Sequence, residues 1–180
     1  MSASERWQVY DETGQPVKGH GEVADKFAED TSLLMANSHL WLWRDQNTQR
    51  QILLQTRARH LPRKPGYLHA SASGHVNLGE SAKEAVIREA NEELGVDLQP
   101  DTIRELFVLR GGARKESFNY VFSCRFDDSS RLLINKSEVE RVDWVSLEEF
   151  VEMVRTPDKF KLIDLGSEYF EKLFALLKKL

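Results

Sequence analysis

Three glutamates, Glu89, Glu92 and Glu93, fall within five consecutive residues of the segment GHVNLGESAKEAVIREANEELGV, positions 74 to 96. On a helix, residues three and four apart are neighbours, so Glu89 repels both Glu92 and Glu93, at about 0.2–0.5 kcal/mol per pair. Two of the three also approach the end of the segment, where a helix dipole disfavours negative charge. A solvated acidic surface is the commonest outcome for such a trio. The alternative is a divalent cation: clustered carboxylate oxygens suit Mg²⁺ or Mn²⁺, and a bound cation reverses the local electrostatics. A metal-bound water loses its proton more easily and a metal-clamped phosphate sheds charge, so the chemistry within reach is metal-assisted hydrolysis.

Those carboxylates must be held by a helix, and the chain supplies its ends. Ser81 with Glu84 three residues on is a capping-box pattern, and Gly95 stands where a helix stops. Ala82, Val86, Ala90 and Leu94 form the apolar stripe, and at about 100° per residue the three glutamates occupy an arc of roughly 100° beside it. Ahead of the helix, YLHASASGHV is extended and rich in small residues, which lets the backbone approach a ligand or another strand closely. HLWLW and QILLQTR flank the polar RDQNTQ and predict a hairpin with a slightly long loop.

Further on, IRELFVLR and SFNYVFSCRF are predicted strands joined by GGARKE. In the second strand Phe118, Tyr120, Phe122, Cys124 and Phe126 alternate with Asn119, Val121, Ser123 and Arg125, so the aromatic set shares a core-facing side. ERVDWVSLEEFVEMV passes from a short strand into a helix opened by a second capping box, Ser146 with Glu149, and SEYFEKLFALLKKL is a closing amphipathic helix. Near the start WQVYDETG is a strand ending in a turn at Gly14, and Val17 to Ser38 shows little periodicity. Strands and helices mixed without regular alternation indicate the α+β class.

With 180 residues and 41% apolar content the chain can bury one continuous core. A formal charge of −4, with 30% of residues charged, argues against a general nucleic-acid binder. No apolar stretch approaches the roughly eighteen residues of a membrane span, and MSASERWQVYDE lacks the regions of a secretory leader. The expectation is a cytoplasmic protein with no membrane partner and no stable nucleic-acid binding. Cys124 is the only cysteine, cannot close an internal disulfide, and reads as a small buried hydrophobe. One basic cluster, RARHLPRKPGY, carries Arg57, Arg59, Arg63 and Lys64 in a loop marked by two prolines and a glycine. In an acidic chain it is either a solvated turn or a source of cations for substrate phosphates.

The full spacing decides between the two readings of the acidic helix. Gly74, five residues, Glu80, seven residues, then Arg88-Glu89-Ala90-Asn91-Glu92-Glu93-Leu94-Gly95-Val96 resembles the Nudix box, G-x5-E-x7-R-E-U-x-E-E-x-G-U with U aliphatic, and every position is met. Seven fixed residues at average usage coincide on the order of once in 10⁸ starting positions. The resemblance implies a Mg²⁺-dependent hydrolase of a diphosphate linkage, with Mn²⁺ as a second ion, acting on a small-molecule diphosphate such as a nucleoside diphosphate derivative.

It also implies an α/β/α sandwich with a mixed β-sheet: an extension over 1–39 packed on a Nudix core over 40–146, the box at 74–96, and helices over 147–180 in the same domain. By resemblance the box holds metal through Glu89, Glu92 and Glu93, joined by the backbone carbonyl of Ser73; one box glutamate also activates water, which one being left open, and Glu92 is the catalytic candidate. Arg88 belongs to the same catalytic signature, where it is expected to pair with a glutamate such as Glu80 and hold the loop's shape. A further ligand is implied ahead of the strand containing Trp144. Glu138 and Glu140 both qualify, and Glu138, six residues before Trp144, is preferred.

Residues 7 to 155, through VYDETGQPV, ILLQTRA, KPGYLHASASGHVNLGES and EVERVDWVSLEE, are similar to the branch containing isopentenyl-diphosphate isomerase and isomerase-like hydrolases. That branch places Arg57 and Lys64 where diphosphate-binding side chains occur, and His75 is assigned to the substrate. The isomerase, however, uses a cysteine before the Gly-His pair, where this chain has Ser73, and a strand glutamate where it has Ser117 beside Glu116. Its metal-binding histidines ahead of the second strand have no match, His39 being displaced. These departures favour hydrolysis; an isomerase and a non-catalytic binding module are the alternatives, and a homodimer is left open.

Overall fold

Leu40, Trp41, Leu42 and Trp43 are successive apolar residues, a run that suits a strand covered on both faces. The computed structural model describes residues 5–30, 32–111 and 117–180 and places this run in β3 (Met35–Gln46), at the centre of a seven-stranded sheet. β3 pairs antiparallel with β4 (Gln49–Arg57) and parallel with β8 (Ser117–Arg125), so the sheet is mixed. β7 (Arg104–Arg110) pairs with β8 at one edge. β6 (Ala72–His75) pairs with β3, while β5 (Leu68–His69) and β9 (Val139–Ser146) pair with β4.

Side-chain alternation then sorts the core into two layers. Leu40, Leu42, Leu53, Phe118 and Phe122 pack with α2 (Ala82–Leu94) on one face. Trp41, Ile52, Leu54 and Val121 pack on the other with α3 (Leu147–Arg155) and α5 (Ser167–Leu177), which the short α4 (Pro157–Phe160) connects. The result is the expected α/β/α sandwich. The aromatic face of β8 is core as expected, but its alternate residues Asn119 and Ser123 are buried as well, because the second helical layer covers them.

The β3–β4 connection is tighter than the slightly long loop expected. Register runs to Gln46 opposite Gln49, leaving a two-residue turn at Asn47 and Thr48, whose φ values of 50° and 64° match the twist a hairpin needs. The polar residues taken for loop are strand, since a strand end facing solvent tolerates them.

The weakly periodic N-terminal stretch contains β2 (Pro16–Val23), paired antiparallel with β1 (Arg6–Tyr10), then α1 (Ala24–Glu29). This small sheet is stitched to the segment before α2: Gln8 N–H donates to the Val76 carbonyl at 2.9 Å and Leu78 N–H to that of Arg6 at 2.9 Å. Glu116, the residue beside the isomerase's glutamate position, lies outside the described residues.

Candidate active site

The acidic helix forms as its caps dictate. Ser81 Oγ accepts the Glu84 N–H while the Glu84 carboxylate accepts the Ser81 N–H, and Gly95 ends the helix at φ 65°, a left-handed conformation that suits glycine. Gly95 has a second duty: a Cβ there would lie 2.7 Å from the Leu133 Cβ. The loop after β8 thus docks on the end of α2, with Leu133 N–H donating to the Leu94 carbonyl at 2.7 Å and Asn135 N–H to that of Glu93 at 2.9 Å. Asn135 Nδ2 in turn holds the Glu138 carboxylate at 3.1 Å. By this route a residue more than forty positions away reaches the box.

Glu89, Glu93 and Glu138 each offer an oxygen, all within 4.8 Å of one another. Glu92 is outside this group, because the box glutamates are not equivalent. The stripe of α2 centres about 40° from Glu93, about 80° from Glu89 and about 140° from Glu92. Accordingly Glu93 and Glu89 are 3% and 8% exposed, whereas the Glu92 side chain is 51% exposed and bonds Arg88 at 2.9 Å. Gly74 completes the fit: a Cβ at that position would fall 1.8 Å from Glu89 Oε1, so the box requires a residue without one.

Arg88 is the hub of the loop. It donates to Glu80 at 2.9 Å and 3.1 Å, to Glu89 at 2.7 Å, to Glu92 at 2.9 Å and to the His75 carbonyl at 3.0 Å. Glu93 Oε2 accepts Gln55 Nε2 at 3.0 Å and the Ser73 N–H at 2.9 Å. Among the described residues no ion pair reaches Glu93 or Glu138. Burial pushes the Glu89 carboxyl up to about 7, against the pull of Arg88. Burial and then the Glu89 charge push Glu93 up to about 8. Hard oxygen donors, two of them buried, with Glu93 and Glu138 left without a cationic partner among the described residues, fit a divalent cation such as Mg²⁺ or Mn²⁺.

The carboxylates line a cleft shared with Trp7, His39, Arg57, His69, Ser73 and His75. His75 stacks on Trp7, ring centroids 3.5 Å apart and planes 5° apart. Arg57, Arg63 and Lys64 line an adjoining lobe with Asn37 and Asn119, and Lys64 Nζ sits 4.7 Å over the Tyr67 ring. Arg59 does not join them; it pairs with Glu140 at 3.0 Å, which also removes Glu140 as the alternative to Glu138 in the cluster.

Gln55 is marked by no motif, and His39 and His69 are lone histidines whose place in the site the sequence does not fix. They come from three strands, and only the register that sets His39 opposite Ser73 and Gln55 opposite His69 unites them. Burial holds His39 down at about 4, and burial, His39 and Arg57 together hold His69 well below its ordinary value.

A family model described as NUDIX domain matches residues 38–165. Over 123 residues, 66% of this chain, the sequence is 37% identical to an isopentenyl-diphosphate Delta-isomerase of Escherichia coli, covering 64% of that protein. Over 152 residues, 78% of this chain, it is 29% identical to Nudix hydrolase 3 of Arabidopsis thaliana, covering 19% of that longer protein. The crystal structure of DR0079 from Deinococcus radiodurans superposes with a TM-score of 0.69 at 22% identity, over 97% of this chain and 98% of the other. No helix among the described residues is long and apolar enough to cross a membrane. With the box complete in sequence, its glycine and carboxylates assembled in space and the model match spanning most of the sheet, the chain belongs to the NUDIX domain family.

Proposed function

We propose that the chain is a metal-dependent hydrolase that cleaves a diphosphate linkage in a small molecule, such as a nucleoside diphosphate derivative or a nucleoside di- or triphosphate. The observation that carries this reading is the convergence of Glu89, Glu93 and Glu138 within 4.8 Å in a cleft that also contains Arg57. When bound there, Mg²⁺ or Mn²⁺ supplies neutralisation of phosphate charge and a more acidic water.

The chain's own groups do the rest. Gln55 and the Ser73 N–H fix one oxygen of Glu93, while Arg88, braced by Glu80, fixes Glu89. Arg57 grips phosphate oxygens with its forked donors, and Lys64 acts as a point charge beside it. His75, held by its stack on Trp7, contacts the substrate at the mouth of the cleft. Glu92, exposed and balanced by Arg88, is the proposed proton acceptor for water.

The isomerase relative supports a second reading. Against it, Ser73 stands where that branch has its cysteine, and a hydroxyl hydrogen-bonded to His69 Nδ1 at 2.7 Å is a weak acid at neutral pH. A panel of nucleotide sugars, nucleoside di- and triphosphates, dinucleoside polyphosphates and isopentenyl diphosphate, assayed with Mg²⁺ or Mn²⁺, separates the possibilities. Release of phosphate or nucleotide is expected. Allylic isomer formation would replace the hydrolase reading with the isomerase one, and tight binding without turnover would replace both.

A further inference from the structure

Behind His39, which lines the cleft, runs a buried hydrogen-bond chain that the hydrolase reading does not use. Trp41 Nε1 lies 3.0 Å from the Tyr169 hydroxyl, and His39 Nδ1 lies 2.9 Å from the same oxygen. Tyr169 is fully buried, at 0% exposure, and His39 and Trp41 are buried beside it. An indole N–H can only donate, so the Tyr169 oxygen accepts from Trp41. The Tyr169 proton then has one acceptor among the described residues, the His39 Nδ1 lone pair. The reverse arrangement, with Nδ1–H donating to the hydroxyl, would leave a sealed O–H without an acceptor.

An accepting Nδ1 fixes the rest of the ring. The proton sits on Nε2, the imidazole is uncharged, and Nε2–H has no lone pair with which to ligate a metal. Among the described residues Nε2 has no hydrogen-bond partner, and it is not one of the unpartnered side-chain atoms sealed from solvent. His39 lines both the carboxylate cleft and the adjoining lobe of Arg57 and Lys64, so its open side faces the cleft.

We propose that His39 is a fixed, uncharged N–H donor to a phosphate oxygen of the substrate, and that Tyr169, on the C-terminal helix, is the positioning residue that fixes it. This rests on the diphosphate reading above. His39, displaced from the positions of the isomerase branch's metal-binding histidines, has a different role here: a tyrosine turns it into a donor. A neutral donor also suits its surroundings, because an imidazolium would repel the cation that the carboxylates gather, and a free lone pair would compete for it.

Two measurements on the full chain test this. Nitrogen-15 NMR of the histidine side chains, with His39 assigned by its loss in His39→Gln, is expected to show Nε2 protonated and Nδ1 bare at neutral pH. Mg²⁺ alone should leave that pattern unaltered, and Mg²⁺ with imidodiphosphate should shift the Nε2 resonance. Tyr169→Phe should abolish the single tautomer. Calorimetric affinity for imidodiphosphate with Mg²⁺ should fall about tenfold in His39→Leu, and His39→Gln, whose amide N–H reaches nearly the same place, should recover most of it.

A protonated Nδ1, or wild-type affinity in His39→Leu, overturns the proposal. If Tyr169→Phe does not fold, the two His39 variants decide. Absence of hydrolysis while the tautomer and binding results hold removes the hydrolase reading and leaves the donor assignment standing. Hydrolysis with wild-type kcat and KM in His39→Leu removes the donor and leaves the hydrolase.

Discussion

Helices α2 and α3 begin alike and end in different roles. Each opens on a serine whose hydroxyl accepts the N–H of a glutamate three residues on, at 3.2 Å for Ser81 and Glu84 and 3.1 Å for Ser146 and Glu149. In both the glutamate returns the bond at 2.8 Å. Beyond the first turn they diverge. α3 buries Phe150 and leaves its acids in solvent, so it is a packing element. α2 buries Glu89 and Glu93 among small residues, Ala82, Ala85 and Ala90, that bring its backbone close to the sheet. A capping box therefore announces where a helix starts and nothing about its use; use is set by which charges the helix takes out of water.

The largest expected effect breaks that contrast at its root. Mg²⁺ should raise the melting temperature of the wild-type protein, since a ligand bound only by the folded state adds RT ln(1 + [L]/Kd), about 2.7 kcal/mol at a hundredfold excess over Kd. Glu93→Gln should erase that shift and lower turnover at least about a hundredfold. Glu148→Gln in α3 should change neither. A full Mg²⁺ shift in Glu93→Gln would place the metal elsewhere. The next effect is steric. Gly74→Ala puts a methyl group 1.8 Å from the present position of Glu89 Oε1. It should cost about 1–3 kcal/mol in urea unfolding and weaken Mg²⁺ binding through displacement of Glu89; unchanged Mg²⁺ affinity would show that Glu89 is not a ligand.

How far the sequence reached follows from the same contrast. Both capping boxes, the stripe of α2 and the glycine that ends it are local patterns, and each appears where expected. The trio of glutamates was legible as a cluster but not as individuals, because a 100° arc spans the boundary between buried and exposed, and Glu92 lands on the exposed side. Glu138 could be picked out only by its distance from Trp144, since what brings it to Glu93 is a docked loop held by backbone bonds from Leu133 and Asn135. The histidine wall was legible only as separate residues, His39 as a displaced histidine and Ser73 as a backbone ligand, and not as an assembly. His39, Gln55, His69 and Ser73 meet through strand register, which no local pattern encodes.

Titration sharpens the comparison because the two helices should respond with opposite sign. Glu89 and Glu93 have folded values of about 7 and about 8, raised from 4.5. In that interval the folded chain holds protons the unfolded chain has released, so without metal their contribution to stability is fully present below about 4.5 and is lost as pH rises towards about 8. Glu149 in α3 is lowered by the backbone N–H and hydroxyl of Ser146, so its contribution is present at higher pH and lost as pH falls. Urea midpoints between about pH 5 and pH 9 in the presence of chelator should decline, Glu89→Gln with Glu93→Gln should flatten the decline, and Mg²⁺ should offset it in the wild type. A midpoint that climbs across this range would mean the two carboxylates are already neutralised by the protein.

The smallest effect asks whether the start of α2 is coupled to its chemistry. Ser81→Ala and Ser146→Ala each remove one cap and should each cost about 1 kcal/mol. Glu80, which braces Arg88, immediately precedes Ser81, so loss of the cap has a short path to the site. Glu80 is nevertheless anchored independently: its N–H donates to the Asn77 carbonyl at 3.0 Å and its carboxylate accepts the Asn77 N–H at 2.9 Å. That turn survives removal of the Ser81 hydroxyl, so the two variants should lose equal stability and keep the wild-type Mg²⁺ shift. A Mg²⁺ affinity several-fold weaker in Ser81→Ala, with Ser146→Ala unaffected, would show instead that the first turn of α2 holds the carboxylates through Glu80 and Arg88.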